Sequence, residues 1–194
     1  MIRFAKSMVF GTGLFLAVSF SVSAQQAPFG GNDDVAFAEK LWGALIDARM
    51  VGPDAIQATT YEGGTGLHSV RLITLQGMVS VNDRRGLAIV KKNFPAAEGE
   101  EPPSEEDIFK TPEQFPGPIT VMYQRAGYDP ENQDWFWSVF LPNGNVVVNP
   151  MGMNMAGRIV GGGGMPDAPF NCIACHQAAP GDDFVFLHDA VPGN

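Results

Sequence analysis

The most restrictive feature of this chain is a five-residue run near its C-terminal end, Cys172-Ile173-Ala174-Cys175-His176, which holds both cysteines of the 194-residue sequence. Two thiols separated by two residues can each form a thioether to a vinyl group of one haem, and the adjacent imidazole can ligate its iron. A chain that uses the run in this way must build a pocket around a flat, largely apolar group. Two other readings use the same residues. A redox Cys-x-x-Cys pair would sit at a helix start beside a βαβ pattern, which the sequence lacks. A zinc site would need a fourth ligand from His68, His188 or a carboxylate, and no paired ligand spacing supplies one.

The opposite end of the chain bears on the same question. Basic residues within Met1–Lys6, an apolar stretch from Met8 to Phe20 and small residues at Val22-Ser23-Ala24 predict a secretory signal peptide, residues 1–24, cut after Ala24. The apolar stretch is shorter than the roughly 20 residues a bilayer-spanning helix needs. The expected compartment is the periplasm, where an unused thiol pair tends to oxidise and a dedicated reaction for both cysteines is the economical reading. Cleavage removes Arg3 and Lys6 and leaves 10 basic against 21 acidic side chains, a net charge of −11. That charge argues against nucleic acid and against an anionic membrane surface as partners. Residues 25–194 are expected to form a single domain.

Periodicity predicts one helix followed by strands. Asn32 or Asp33 can cap a helix running to about Met50, with Val35, Ala38, Leu41, Trp42, Leu45 and Ile46 on one face and Gly52-Pro53 as its stop. Strands are expected from Val70 to Leu75 and from Met78 to Lys91, with a turn at Asn82–Gly86, then at Ile119–Gln124 and Trp135–Leu141. The last is expected to run through Pro142–Asn145 into a hairpin partner at Val146–Asn149. The acidic stretch from Glu98 to Asp107 reads as a solvated loop, and Met151 to Pro169 carries little helix or strand signal. The fold class expected is α+β, mainly an antiparallel sheet, with an N-terminal helix and a C-terminal haem-attachment segment.

The motif leaves open whether such a haem carries electrons or binds a substrate. An electron carrier fills both axial positions of the iron, whereas an enzyme or gas binder leaves one open. Met151, Met153, Met155, Met165 and His188 are available as a sixth ligand. His68 and His188 otherwise read as ordinary surface or core histidines.

Further motifs, Ile119-Thr120-Val121-Met122-Tyr123, Gly127-Tyr128-Asp129-Pro130, Asp134-Trp135-Phe136-Trp137, and Cys172–His176 followed by Asp183-Phe184-Val185-Phe186, stand in this order between about Leu87 and Phe186. In this the chain resembles the cytochrome P-460 and cytochrome c′-beta family. The resemblance implies a mainly antiparallel β fold, a homodimer in many members, and a haem c held by one proximal histidine, matching His176. The opposite face of the iron is open or capped by apolar groups. Members either oxidise hydroxylamine or bind nitric oxide, so the resemblance implies a small-molecule ligand and a soluble redox partner protein. The oxidising chemistry needs a base near the iron, for which Asp167 is the candidate, with Phe170 as the apolar alternative; Phe184 and Phe186 read as haem packing.

In the hydroxylamine-oxidising members a strand-end lysine is covalently linked to the haem ring, and Lys91 stands at the matching place. Alternation puts Lys91 on the face of Leu87 and Ile89, and Lys92 on the face of Ala88 and Val90. Without a link, Lys91 reads as an edge lysine whose stem packs while its head reaches water. The sequence departs from the family pattern in the turn Asn82–Gly86 and in Lys92, where a glutamate is common.

Overall fold

The computed structural model describes residues 29–64, 68, 70–96, 99–160 and 171–186. The expected signal peptide and Met165, Asp167, Phe170 and His188 lie outside the described residues.

Helix α1 spans Asn32–Asp47. Its cap is Gly31, not Asn32 or Asp33, with extended backbone and no side-chain hydrogen bond. Asp33 and Asp34 instead place negative charge in the first turn, where it complements the helix dipole. Phe37, Ala38, Leu41 and Leu45 are buried, but Ile46 is 44% exposed and does not share their face. The chain leaves the helix where Arg49 and Gly52 take positive φ values of 56° and 82°.

The strands are β1 (Tyr61–Glu62), β2 (Arg71–Val81), β3 (Arg84–Phe94), β4 (Ile119–Gln124), β5 (Trp135–Phe140) and β6 (Ala156–Gly157). They form one antiparallel sheet in which every strand pairs with the next in sequence. The class is therefore α+β, as expected. The expected gap between Leu75 and Met78 is absent, because Gly77 pairs with Ala88 inside an unbroken ladder. The turn is also tighter than Asn82–Gly86. Only Asn82 and Asp83 stand outside the ladder, with φ of 49° and 62°, the two-residue geometry whose twist matches paired strands.

Two further expectations are corrected. Residues 146–149 form no continuous strand: Phe140 bridges Val146 and Val148 bridges Asn154, while β5 takes β6 as its ladder partner. The stretch from Glu98 to Asp107 is not all loop, since Glu105–Lys110 forms α2. Ser104 and Asp107 cap each other's backbone there, and the helix sets Ile108 against Ile73 and Phe94. This capping box is closed by aspartate, whereas the usual signature ends in Glu or Gln.

The sheet separates two cores. Ala88, Val90, Val121, Tyr123, Phe136 and Phe140 face α1 and pack on Phe37, Leu41 and Leu45. On the other side Ile89, Met122, Trp135, Trp137 and Val139 pack with Met155, Ile159, Ile173, Phe184 and Val185. Burying each such side chain contributes about 1.5–3 kcal/mol, so both faces contribute to stability. The second core carries the Cys172–His176 run. Among the described residues no helix is long and apolar enough to cross a membrane.

Candidate functional site

Cys172–His176 forms a short helix, α3, whose start is held by the Asn171 side chain accepting from the Ala174 N–H at 3.0 Å. Ile173 anchors the helix: its side chain is buried in the second core, and its N–H donates to the Ile159 carbonyl at 3.3 Å. His176 is 8% exposed. Its Nδ1 lies 2.6 Å from the Phe184 carbonyl oxygen. A carbonyl can only accept, so Nδ1 carries the proton and Nε2 keeps a lone pair. The acceptor is itself held in place. Asp182 and Phe184 adopt positive φ of 58° and 66°, and the intervening backbone is tied to the sheet by Trp135 Nε1 donating to the Asp183 carbonyl at 3.2 Å and by Gln133 Nε2 donating to that of Asp182.

Three rings surround that of His176: Trp137 at 4.7 Å between centres, Phe186 at 5.2 Å and His68 at 6.5 Å. Trp137 comes from β5, paired through Met122 with Ile89. By alternation Lys91 extends from the same face, as expected from its parity with Leu87 and Ile89. It is not an edge lysine, however. Strand β3 lies between β2 and β4, and Lys91 is 7% exposed. His68 reaches the group from the loop before β2. Its Nδ1 lies 2.9 Å from Asn93 Oδ1, while Asn93 Nδ2 donates to the carbonyls of Lys91 and Pro118 at 3.2 and 2.7 Å. With the amide nitrogen so engaged, the oxygen must be the acceptor, and His68 too holds its proton on Nδ1.

Electrostatics follow from this packing. Burial, reinforced by the nearby charge of Lys91 and by His68, pushes His176 down to about 4 against the opposing hydrogen bond from Phe184, so its ring is neutral at neutral pH. Burial also lowers His68, with Lys91 adding to the effect and the Asn93 hydrogen bond opposing it. Lys91 is lowered by burial as well. Burial raises the Cys172 thiol to about 12, with Cys175 adding to the shift.

These features discriminate among the chemistries the run could serve. A reactive dithiol lowers the pKa of its attacking cysteine, and Cys172 is shifted the other way. A structural zinc site needs four converging ligands, and among the described residues no three of His, Cys, Asp and Glu gather to hold a metal ion. Haem fits better. The thioethers would engage Cys172 and Cys175, and a metal-binding histidine characteristically donates its other N–H to a carbonyl, as His176 does. The neighbouring Trp137 Nε1 is buried without a partner among the described residues, a donor that a polar edge of such a group could satisfy.

Of the expected site residues, the structure brings Lys91 to the site on α3 and places Phe184 and Phe186 beside it. Asp167 and Phe170 lie outside the described residues. Met155 is buried in the second core and Met153 packs against it, while Met151 is exposed. Sequence reasoning missed Trp137 and the His68–Asn93 pair. The signal available for Asn93 was its position two residues beyond Lys91, on the same strand face. Comparison of the chain with family models, with curated proteins and with solved structures returned no match.

Proposed function

We propose that this protein is an exported, periplasmic mono-haem c-type cytochrome, similar to the cytochrome P-460 and c′-beta family, that binds or oxidises small nitrogen compounds such as nitric oxide or hydroxylamine. The observation that carries the reading is His176: directly after Cys172 and Cys175, buried, with Nδ1 tied to the Phe184 carbonyl and Nε2 left to bind a metal. The haem, once bound, supplies an iron that acts as a Lewis acid and exchanges electrons.

The chain's own residues do the rest. Cys172 and Cys175 fix the group covalently, and the carbonyl of Phe184 orients His176 and raises its strength as a ligand. Trp137 and Phe186 exclude water from the His176 side. Lys91 brings an amine to the same space, where it can hold or give up a proton at Nζ as a nitrogen ligand changes its protonation. A covalent link from Lys91 to the haem edge would assign the protein to the hydroxylamine-oxidising members; an unlinked Lys91 assigns it to the nitric-oxide binders.

The test is protein matured with haem-attachment machinery. It should keep its colour through acid-acetone extraction and lose it in the Cys172→Ala/Cys175→Ala variant, and the ferrous form should bind nitric oxide with a change in its spectrum. Extractable haem, or a ferrous spectrum indifferent to nitric oxide, would refute the proposal.

A further inference from the structure

Asp129 is 3% exposed, and nothing in the haem reading uses it. A carboxylate so placed is costly unless its oxygens are paired. Its Oδ2 accepts from Asn132 Nδ2 and from Arg158 Nε, both at 2.8 Å. Its carbonyl accepts from the backbone N–H groups of Asn132 at 2.9 Å and Asp134 at 2.8 Å, and its own N–H donates to Asp134 Oδ1 at 3.1 Å. These bonds fold residues 129–134 into a tight corner in which Gln133 and Asp134, neither of them glycine, take φ of 55° and 63°. Two successive left-handed residues persist only where their surroundings over-determine them.

The corner grips both sides of the His176 hydrogen bond. Asn132 Oδ1 accepts from Gln177 Nε2 at 3.2 Å, which holds the chain directly after His176. Gln133 Nε2 donates to the Asp182 carbonyl and Trp135 Nε1 to that of Asp183 at 3.2 Å. Those two bonds hold the returning segment whose next carbonyl, that of Phe184, accepts from His176 Nδ1. Arg158 adds a third hold, because the neighbouring Ile159 carbonyl accepts from the Ile173 N–H at 3.3 Å. The donor and the acceptor of one 2.6 Å bond are thus both anchored to the few residues around Asp129. A buried ion pair often stabilises a fold no more than apolar side chains of similar volume would, so plain stability does not account for this one.

We propose that Asp129 is a positioning residue for the proximal ligand: through Asn132 and Gln133 it keeps the His176 Nδ1–H on the Phe184 carbonyl, and so sets how strongly His176 donates to the iron. This rests on the haem reading above and deepens it. A ligating histidine whose N–H is held by a carbonyl is the more basic ligand, and second-shell hydrogen bonding of this kind is one of the levers on a haem's potential. Loosening the bond weakens donation to the ferric iron and favours the ferrous form.

The experiment is redox titration of the holoprotein, with resonance Raman spectroscopy of its ferrous form, comparing wild type with Asp129→Ala, Asp129→Asn and Gln133→Ala/Gln177→Ala. Asp129→Ala should raise the ferrous-to-ferric ratio at a fixed potential at least about threefold, roughly 30 mV, and lower the iron–histidine stretching frequency. Asp129→Asn keeps an acceptor oxygen and should stay closer to wild type. Gln133 and Gln177 are exposed, so their double replacement leaves the core intact and should reproduce the shift even where Asp129→Ala fails to fold. Leu45→Ala opens a cavity on the opposite face of the sheet; it should lower Tm and leave the potential unchanged. A potential unmoved in Gln133→Ala/Gln177→Ala, or moved as far by Leu45→Ala, would overturn the proposal. Acid-acetone extraction of the same samples separates the two levels: retained haem with an unmoved potential removes only the role of Asp129, whereas extractable haem removes the haem reading itself.

Discussion

Replacing Asn93 by leucine tests whether the polar scaffold behind His68 is as important as the geometry implies. Asn93 is 2% exposed and makes three side-chain hydrogen bonds: it accepts from His68 Nδ1 and donates to the carbonyls of Lys91 and Pro118. Leucine keeps the volume, so little cavity cost enters. Each lost bond removes about 0.5–1.5 kcal/mol. The Lys91 carbonyl retains a long contact from Thr120 Oγ1 at 3.4 Å, whereas the carbonyl of Pro118 also accepts from the Asn93 backbone N–H at 3.2 Å. The Nδ1–H of His68 is the group left without a partner, at an added cost of about 1–3 kcal/mol. The sum is about 2.5–7.5 kcal/mol, which in a domain of this size lowers Tm by roughly 5–30 °C. Thermal denaturation followed by far-ultraviolet circular dichroism measures it, and Asn93→Asp, which keeps an acceptor for His68, should lose less. A shift under 2 °C for Asn93→Leu would refute the account of Asn93 as the anchor of this corner.

Other expectations follow from the same site. His176→Ala should leave both thioethers able to form but should change the spin state and lower haem content, read from the spectrum per mole of protein. Tryptic mass spectrometry of the holoprotein decides the state of Lys91: we expect the haem on the Cys172–His176 peptide alone, and a haem-linked peptide containing Lys91 would move the assignment to hydroxylamine oxidation. In the haem-free Cys172→Ala/Cys175→Ala variant, His176 has its folded pKa near 4 and an unfolded value near 6.5. The unfolded chain therefore binds the proton first, and stability should be fully present above about pH 6.5 and fall as the pH drops toward 4, by on the order of 3 kcal/mol. Urea denaturation across that range should show the loss, and a His176→Gln change in the same background should flatten it.

How much was legible in the sequence depended on how local each signal was. Strands β4 and β5 were readable because Ile119–Gln124 and Trp135–Phe140 are dense in β-formers bounded by breakers. The parity of Lys91 was readable because alternation needs only neighbouring residues. Its burial was not, because that depends on β3 lying inside the sheet with a second core over it. The short helix α2 was obscured by its acidic composition, although Ser104 and Asp107 carried a cap signal. The ring contact between His68 and His176 depends on the full sheet register and on the return of the chain at Phe184, and no local pattern encodes it.

The order of the sheet has a consequence for the timing of assembly. Every described strand pairs with its immediate neighbour along the chain, so the platform can close by pairing sequence neighbours, with α2 in the connection between β3 and β4. The Cys172–His176 run follows the six described strands. The strands carrying Lys91, Asn93 and Trp137 can thus set their register before the Cys172–His176 helix docks on them. If the Cys172–His176 helix carries the proposed haem, it would bring it to a surface already formed, unlike metallo-domains that stay unfolded until their ligand arrives.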